Sequence, residues 1–207
     1  MTAPFKPQKA SKRLVLASSS PRRKMLLEQV KADFIIRIPD VDEAFNEELL
    51  NAHGLDAALC DVAKRKAQAV FYSMAEHEKE GYDFIVSADT IVCMDDVVYG
   101  KPHSEEEAFL MLKSIAGRSH SVKTGVGVIN CRTGAHDEKV ETTFVHIAPL
   151  SDGEIYDYIL TGEPMDKAGA YAAQGIGARF VRRIEGCYYN VVGLPLGLMF
   201  DIFDDIC

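Results

Sequence analysis

The hexapeptide SSSPRR at 18–23 follows the apolar run LVLA at 14–17. Serine is a favoured helix N-cap and proline a favoured first helical residue, so the junction reads as a strand running into a helix N-terminus. Such a terminus presents unpaired N–H groups and partial positive charge. Ser18 lies at this turn, and Arg22 and Arg23 add forked donors suited to phosphate oxygens. Arginines at a helix start are electrostatically unfavourable alone, and a bound anion relieves the conflict. A solvated basic turn is the competing account. Asp89, in SADT at 87–90, ends an apolar stretch, where an acid is either a structural cap or a site carboxylate. Asp42 and Glu43 form a further acidic pair after Pro39, and such a pair is usually solvated. If Glu43 and Asp89 converge, they suit Mg²⁺, which takes one or two carboxylates plus phosphate oxygens and water.

Two lysines add to this set. In Gly100-Lys101-Pro102 the proline stiffens the turn that holds Lys101, and the glycine permits close approach of a ligand. The triplet lacks the upstream glycine and following hydroxyl of a Walker A loop. Lys66 lies near the apolar face of its helix, where it either snorkels to water or joins a site. The segment GEPMDKAGAYAAQG at 162–175 is rich in small and polar residues and reads as a ligand-lining loop. The Gln174 amide suits reading a base edge, and Tyr171 either stacks on the base or packs. The six histidines show no H-E-x-x-H spacing, and G-x-S-x-G is absent. Cys60, Cys93, Cys131, Cys187 and Cys207 contain no C-x-x-C pair and read as reduced thiols.

The elements that must position these residues follow from periodicity. Strands are expected at 14–17 and 34–38, and a long helix at 55–75 with Leu59, Val62, Ala63, Lys66, Ala69 and Val70 near one face. Segments 83–87 and 91–94 read as two buried strands meeting around 88–90. Ser104 caps a helix through Ile115, with Glu107 completing a capping box, and Ser151 with Glu154 repeats the pattern through Leu160. Residues 120–131 and 138–148 alternate around Thr133-Gly134 as a long antiparallel hairpin, and 195–206 forms a closing helix. Gly125-Val126-Gly127 falls inside that hairpin and is no Rossmann fingerprint. Helices interleaved with strands, plus a hairpin, give an α/β fold with a mixed twisted sheet.

The 207 residues carry 23 Lys+Arg against 31 Asp+Glu, a net charge of −8. That balance excludes a general nucleic-acid binder but leaves room for one cationic pocket. At 47% hydrophobic and 26% charged, the composition is that of a globular protein. The apolar run at 191–200 is about half a membrane span and contains Pro195, so it reads as core and no membrane partner is expected. Residues 1–13 are expected to be a flexible basic tail and 14–207 a single domain, with the cytoplasm as location.

Taken in order, LASSSPRR (16–23), VDE (41–43), AKRKA (63–67), SADT (87–90), GKP (100–102), GRSHSVKTGV (117–126), GEPMDKAGAYAAQG (162–175) and NVVGLPL (190–196) resemble the Maf (septum formation inhibitor) family of nucleoside triphosphate pyrophosphatases. The resemblance implies an elongated, two-lobed α/β fold like that of inosine triphosphatases, with a central cleft. It implies cleavage of a nucleoside triphosphate to monophosphate and pyrophosphate, with Asp89 as proton acceptor for the attacking water. It further implies Glu43 and Asp89 as ligands of Mg²⁺ or Mn²⁺, and Ser18, Arg22, Arg23, Lys66 and Lys101 as holders of the triphosphate. Arg22, Thr90 and Gln174 match the branch that prefers dTTP and UTP, with modified pyrimidines such as 5-methyl-UTP and pseudouridine triphosphate as further candidates. Ala173 departs from the isoleucine usual before the glutamine, which widens the expected base pocket. A homodimer and a link to septum formation come with the family. A nucleotide-binding division regulator with little turnover, and a purine-sanitising pyrophosphatase acting on ITP, stay open beside this reading.

Overall fold

Leu14, Val15, Leu16 and Ala17 are all buried, as a central parallel strand covered on both faces requires. They belong to β1 (Arg13–Ala17), which is parallel to β2 (Asp33–Ile36) on one side and to β3 (Phe84–Met94) on the other. The computed structural model describes residues 12–95 and 97–207. Arg13, expected in the basic tail, is instead the first residue of β1; residues 1–11 of that tail lie outside the described residues. β4 (Val97–Tyr99) pairs with the far end of β3. β3, β5 (Ser119–Asn130), β6 (His136–Ile147) and β7 (Val181–Glu185) then follow one another antiparallel, in the sheet order β2-β1-β3-β5-β6-β7. This is the mixed α/β sheet the sequence implies, with the long hairpin as β5 and β6.

The helices are α1 (Pro21–Gln29), α2 (Glu47–Ser73), α3 (Glu76–Lys79), α4 (Glu105–Ile115), α5 (Asp152–Ile159), α6 (Tyr188–Val192) and α7 (Leu196–Asp205). Gly54, at φ 81°, breaks α2, so the continuous part begins where the apolar stripe begins. Ala58, Leu59, Val62, Ala63, Lys66, Ala67 and Val70 form its buried face. Ser104 and Ser151 cap α4 and α5 as expected. The Glu107 carboxylate, however, accepts from the His103 amide rather than closing a box on Ser104.

Strand alternation sorts the core. Leu14, Leu16, Phe84, Val86 and Ala88 face α1 and α7, while Val15, Ala17 and Ile85 face α2. Farther along, Val92, Met94 and Val122 enter a separate cluster with α4 and α5. β3 therefore contributes to all three clusters. It is one continuous strand of 11 residues, not two segments meeting at 88–90. The expected break exists in its neighbours: β1 pairs with β3 only as far as Ser87, and β4 pairs with it only from Val92 onward. On that side, among the described residues, 88–91 have no strand partner. A gap at the carboxyl end of a parallel strand is where open α/β sheets bind ligands.

Candidate active site

Asp89 and Thr90 are neighbours on β3 and so point to opposite faces of the sheet. Asp89 meets α2, which lies unusually close. Asp89 is opposite Gly125 and Ser87 is opposite Gly127. A Cβ at Gly125 would lie 2.7 Å from the Leu59 carbonyl oxygen, and one at Gly127 2.9 Å from the Ala63 carbonyl carbon. The Ser87 hydroxyl donates to the Ala63 carbonyl at 2.5 Å. The two glycines let the α2 backbone press on the sheet, and Lys66, almost one turn past Ala63, is delivered to Asp89. Lys66 Nζ is 2.7 Å from Asp89 Oδ1 and 2.9 Å from Glu43 Oε2, with the lysine side chain only 5% exposed. Glu43 reaches this point because Arg65 holds its loop. The Arg65 guanidinium donates to the carbonyls of Asp42 and Ala44 and, through Nε, to Asp61 at 2.8 Å.

On the other face, Thr90 meets α1. Ser20 caps α1 by accepting from the Arg23 amide, and the Arg23 side chain turns inward. Its Nε donates to the Gly193 carbonyl at 2.8 Å, Nη1 to Ser18 Oγ at 3.0 Å, and Nη2 to Thr90 Oγ1 at 3.1 Å. Thr90 Oγ1 is also 2.9 Å from Thr124 Oγ1, and Thr124 donates to the Asn190 carbonyl at 3.2 Å. Burial lowers the Arg23 pKa from its ordinary value, opposed by the charges of Asp89 and Glu43. Two donors of this guanidinium thus fix the Ser18 and Thr90 side chains and a third ties it to Gly193, which leaves two of its five N–H groups.

These groups line one cleft of about 620 Å³. Ser18, Arg22, Arg23, Glu43, Lys66, Asp89, Thr90, Lys101 and Gln174 all reach it, so the structure brings together every site residue expected from the sequence. Arg22 Nη1 is 3.6 Å from Asp166 Oδ2, an ion pair linking the first turn of α1 to the 162–175 loop. Lys66 lines the cleft from a buried position between two carboxylates, whose opposite charges flank it on both sides. Glu43 and Asp89 do converge, and they do so on that lysine. Among the described residues no group of three or more His, Cys, Asp or Glu is placed to hold a metal ion. Two carboxylates lining this cleft nevertheless fit Mg²⁺ when further oxygen ligands and water complete its shell.

Tyr171 packs. It is 6% exposed, with its hydroxyl 2.8 Å from His120 Nε2 and its ring edge-on to the imidazole. The sequence reading missed Arg65, Thr124 and the Gly193 carbonyl, which act by holding other residues and carry no chemical signature of their own. It also missed an apolar rim of Ile38, Pro39, Phe45 and Val98. Ile38 is 71% exposed there, and that exposure has no sequence signal.

The family described as Maf-like protein matches residues 13–206. A dTTP/UTP pyrophosphatase of Caldicellulosiruptor saccharolyticus is 48% identical over 187 residues, covering 89% of this chain and 90% of the relative. One of Caldicellulosiruptor bescii is 46% identical over 185 residues, with the same coverage of both. A third, of Desulfotalea psychrophila, is 41% identical over 188 residues and 91% of each chain.

Proposed function

The chain belongs to the Maf-like protein family, and from that membership we propose that it is a pyrophosphatase converting dTTP and UTP to the monophosphate and pyrophosphate. The observation that carries the reading is the meeting of Asp89 with the cationic turn of Ser18 and Arg22 in one cleft that Gln174 also lines. Water attacks the α-phosphorus, its proton passes to an Asp89 carboxylate oxygen, and the bond to the bridging oxygen of pyrophosphate breaks. Arg22, Lys101, the Ser18 hydroxyl and the two remaining Arg23 N–H groups hold the triphosphate and stabilise the charge that gathers on the leaving group. Glu43 and Asp89 are the residues that would hold Mg²⁺ or Mn²⁺, which when bound offsets phosphate charge. Lys66 keeps the two carboxylates together and orients Asp89. Gln174 and Thr90 meet the base side of the substrate, and Ala173 leaves room for modified pyrimidines.

We place this reaction in the cytoplasm, as cleaning of the nucleotide pool linked to septum control, with the homodimer implied by the family. No helix among the described residues is long and apolar enough to cross a membrane. The test is pyrophosphate release from dTTP, UTP, CTP, GTP, 7-methyl-GTP and ITP with Mg²⁺ or Mn²⁺, beside Asp89→Asn. Preferential cleavage of dTTP and UTP that is lost in the variant supports the reading. Nucleotide binding without turnover on any substrate replaces it with a regulator, and cleavage confined to ITP or 7-methyl-GTP keeps the reaction but removes the pyrimidine assignment.

A further inference from the structure

The wall of the cleft that carries Gln174 has little regular structure. Between α5 and β7 the chain makes three short 3₁₀ turns, Glu163–Asp166, Ala168–Ala170 and Ile176–Phe180. Glu163 holds the two ends of this segment together from behind. Its Oε1 accepts from the Tyr158 hydroxyl at 2.8 Å and from the Gly177 amide at 2.9 Å, and its Oε2 accepts from the Ile176 amide at 3.0 Å. The same Tyr158 hydroxyl accepts from the Ala172 amide at 3.2 Å. One carboxylate and one phenol thus anchor residues 172, 176 and 177, on both sides of Ala173 and Gln174.

The fit around these anchors is close. A Cβ at Gly175 would collide with Glu163 Oε2, and one at Gly177 would lie 2.5 Å from the Tyr158 hydroxyl. Gly175 also adopts φ +94°, which side chains rarely reach. Burial raises the Glu163 pKa, but the Gly177 and Ile176 amides and the Tyr158 hydroxyl outweigh it and leave the carboxyl below its ordinary value. A charged acceptor makes these bonds stronger than neutral ones.

We infer that Glu163 is a positioning residue for base recognition: by clasping residues 176–177 it sets where Gln174 stands, and selectivity among nucleobases depends on that clasp. The inference rests on the pyrophosphatase reading above. Uracil and cytosine differ in donor and acceptor order on one edge, so displacement of a side-chain amide alters their ranking before it alters the chemistry at the α-phosphorus.

The test compares kcat/KM for UTP and CTP in the wild type, Glu163→Gln and Tyr158→Phe. In Glu163→Gln the ratio of UTP to CTP falls about tenfold, and the KM for UTP moves more than kcat. Tyr158→Phe, which leaves both amide bonds to Glu163 intact, shows a smaller fall in the same direction. It decides the matter alone if Glu163→Gln does not fold. A purely structural role lowers the active fraction and scales both substrates alike, so an unchanged ratio in a folded variant overturns this inference alone. A wild type that releases no pyrophosphate, or treats UTP and CTP equally, overturns the functional reading or its Gln174 assignment, and the inference falls with it.

Discussion

Lys66 and Asp89 are joined at 2.7 Å between Nζ and Oδ1, and Glu43 Oε2 stands 2.9 Å from the same nitrogen. The ammonium occupies the place to which the two carboxylates would also draw a divalent cation. A metal that uses the same two oxygens competes with Lys66 for them. In Lys66→Met without nucleotide, Mn²⁺ binding is expected to tighten by about tenfold, because no internal cation competes. Calorimetric titration of Mn²⁺ into wild type and variant checks this, and equal or weaker binding in the variant contradicts it.

Asp89→Asn retains the size of the side chain and loses the proton acceptor. Pyrophosphate release is expected to fall by about 10²–10⁴-fold in kcat. Nucleotide affinity changes far less, because Ser18, Arg22 and Lys101 are untouched. Single-turnover kinetics beside equilibrium binding separate the two effects. A parallel loss of both would make Asp89 a binding group.

The chemistry was legible where a residue type announces itself: the SSSPRR turn, Asp89, Glu43, Lys101 and Gln174 all reach one cleft. The elements around them followed from serine caps and apolar periodicity. Their supports did not. Arg65 acts through the backbone carbonyls of Asp42 and Ala44, Arg23 through Gly193, and Glu163 through the amides of 176 and 177. Main-chain partners are set by the fold and leave no pattern in residue types. β4, β7 and α6, at three to five residues, are too short for periodicity to declare. The single strand at 84–94 was read as two because polar Ser87, Asp89 and Thr90 interrupt its apolar run, although each has partners across the sheet or in α2.

Arg23 has three acceptors at three angles, which a planar fork satisfies and an ammonium does not. Arg23→Lys is expected to lower stability by about 2–3 kcal/mol and to loosen Ser18 and Thr90 together. Urea denaturation measures the first effect. The second is a rise in KM for UTP that exceeds the fall in kcat, whereas a variant with wild-type KM would show that the ligand does not depend on this brace.

Gly127 sets the distance between α2 and the sheet. In Gly127→Ala the new methyl group meets the Ala63 carbonyl carbon and the Ser87 hydroxyl, both at 2.9 Å, so backbone must move. A loss of about 1–3 kcal/mol is expected, with reduced turnover as Lys66 shifts from Asp89. Gly197→Ala in α7 is the control, since nothing lies within 4 Å of its added Cβ. That change is expected to be neutral or to stabilise by up to about 1 kcal/mol.

His120 is 3% exposed, and among the described residues its Nδ1 has no hydrogen-bond partner. Burial, helped by the charge of His146, lowers its pKa from 6.5 to about 4. Below pH 6.5 the unfolded chain therefore binds a proton here that the folded chain refuses. Unfolding becomes steadily easier as pH falls toward 4, where the accumulated cost reaches about 3 kcal/mol. His120→Phe removes this titration together with the hydrogen bond to Tyr171. At pH 8 the variant is expected to be less stable than wild type by about 1–3 kcal/mol, the cost of leaving the buried Tyr171 hydroxyl unpaired. On acidification to pH 5 the gap should narrow, because only the wild type gains the histidine penalty. Other carboxylates and histidines titrate in both proteins and cancel in the difference. Urea midpoints at pH 8, 6 and 5 decide it: a gap that stays constant would mean that His120 takes up its proton as readily in the fold as in the unfolded chain.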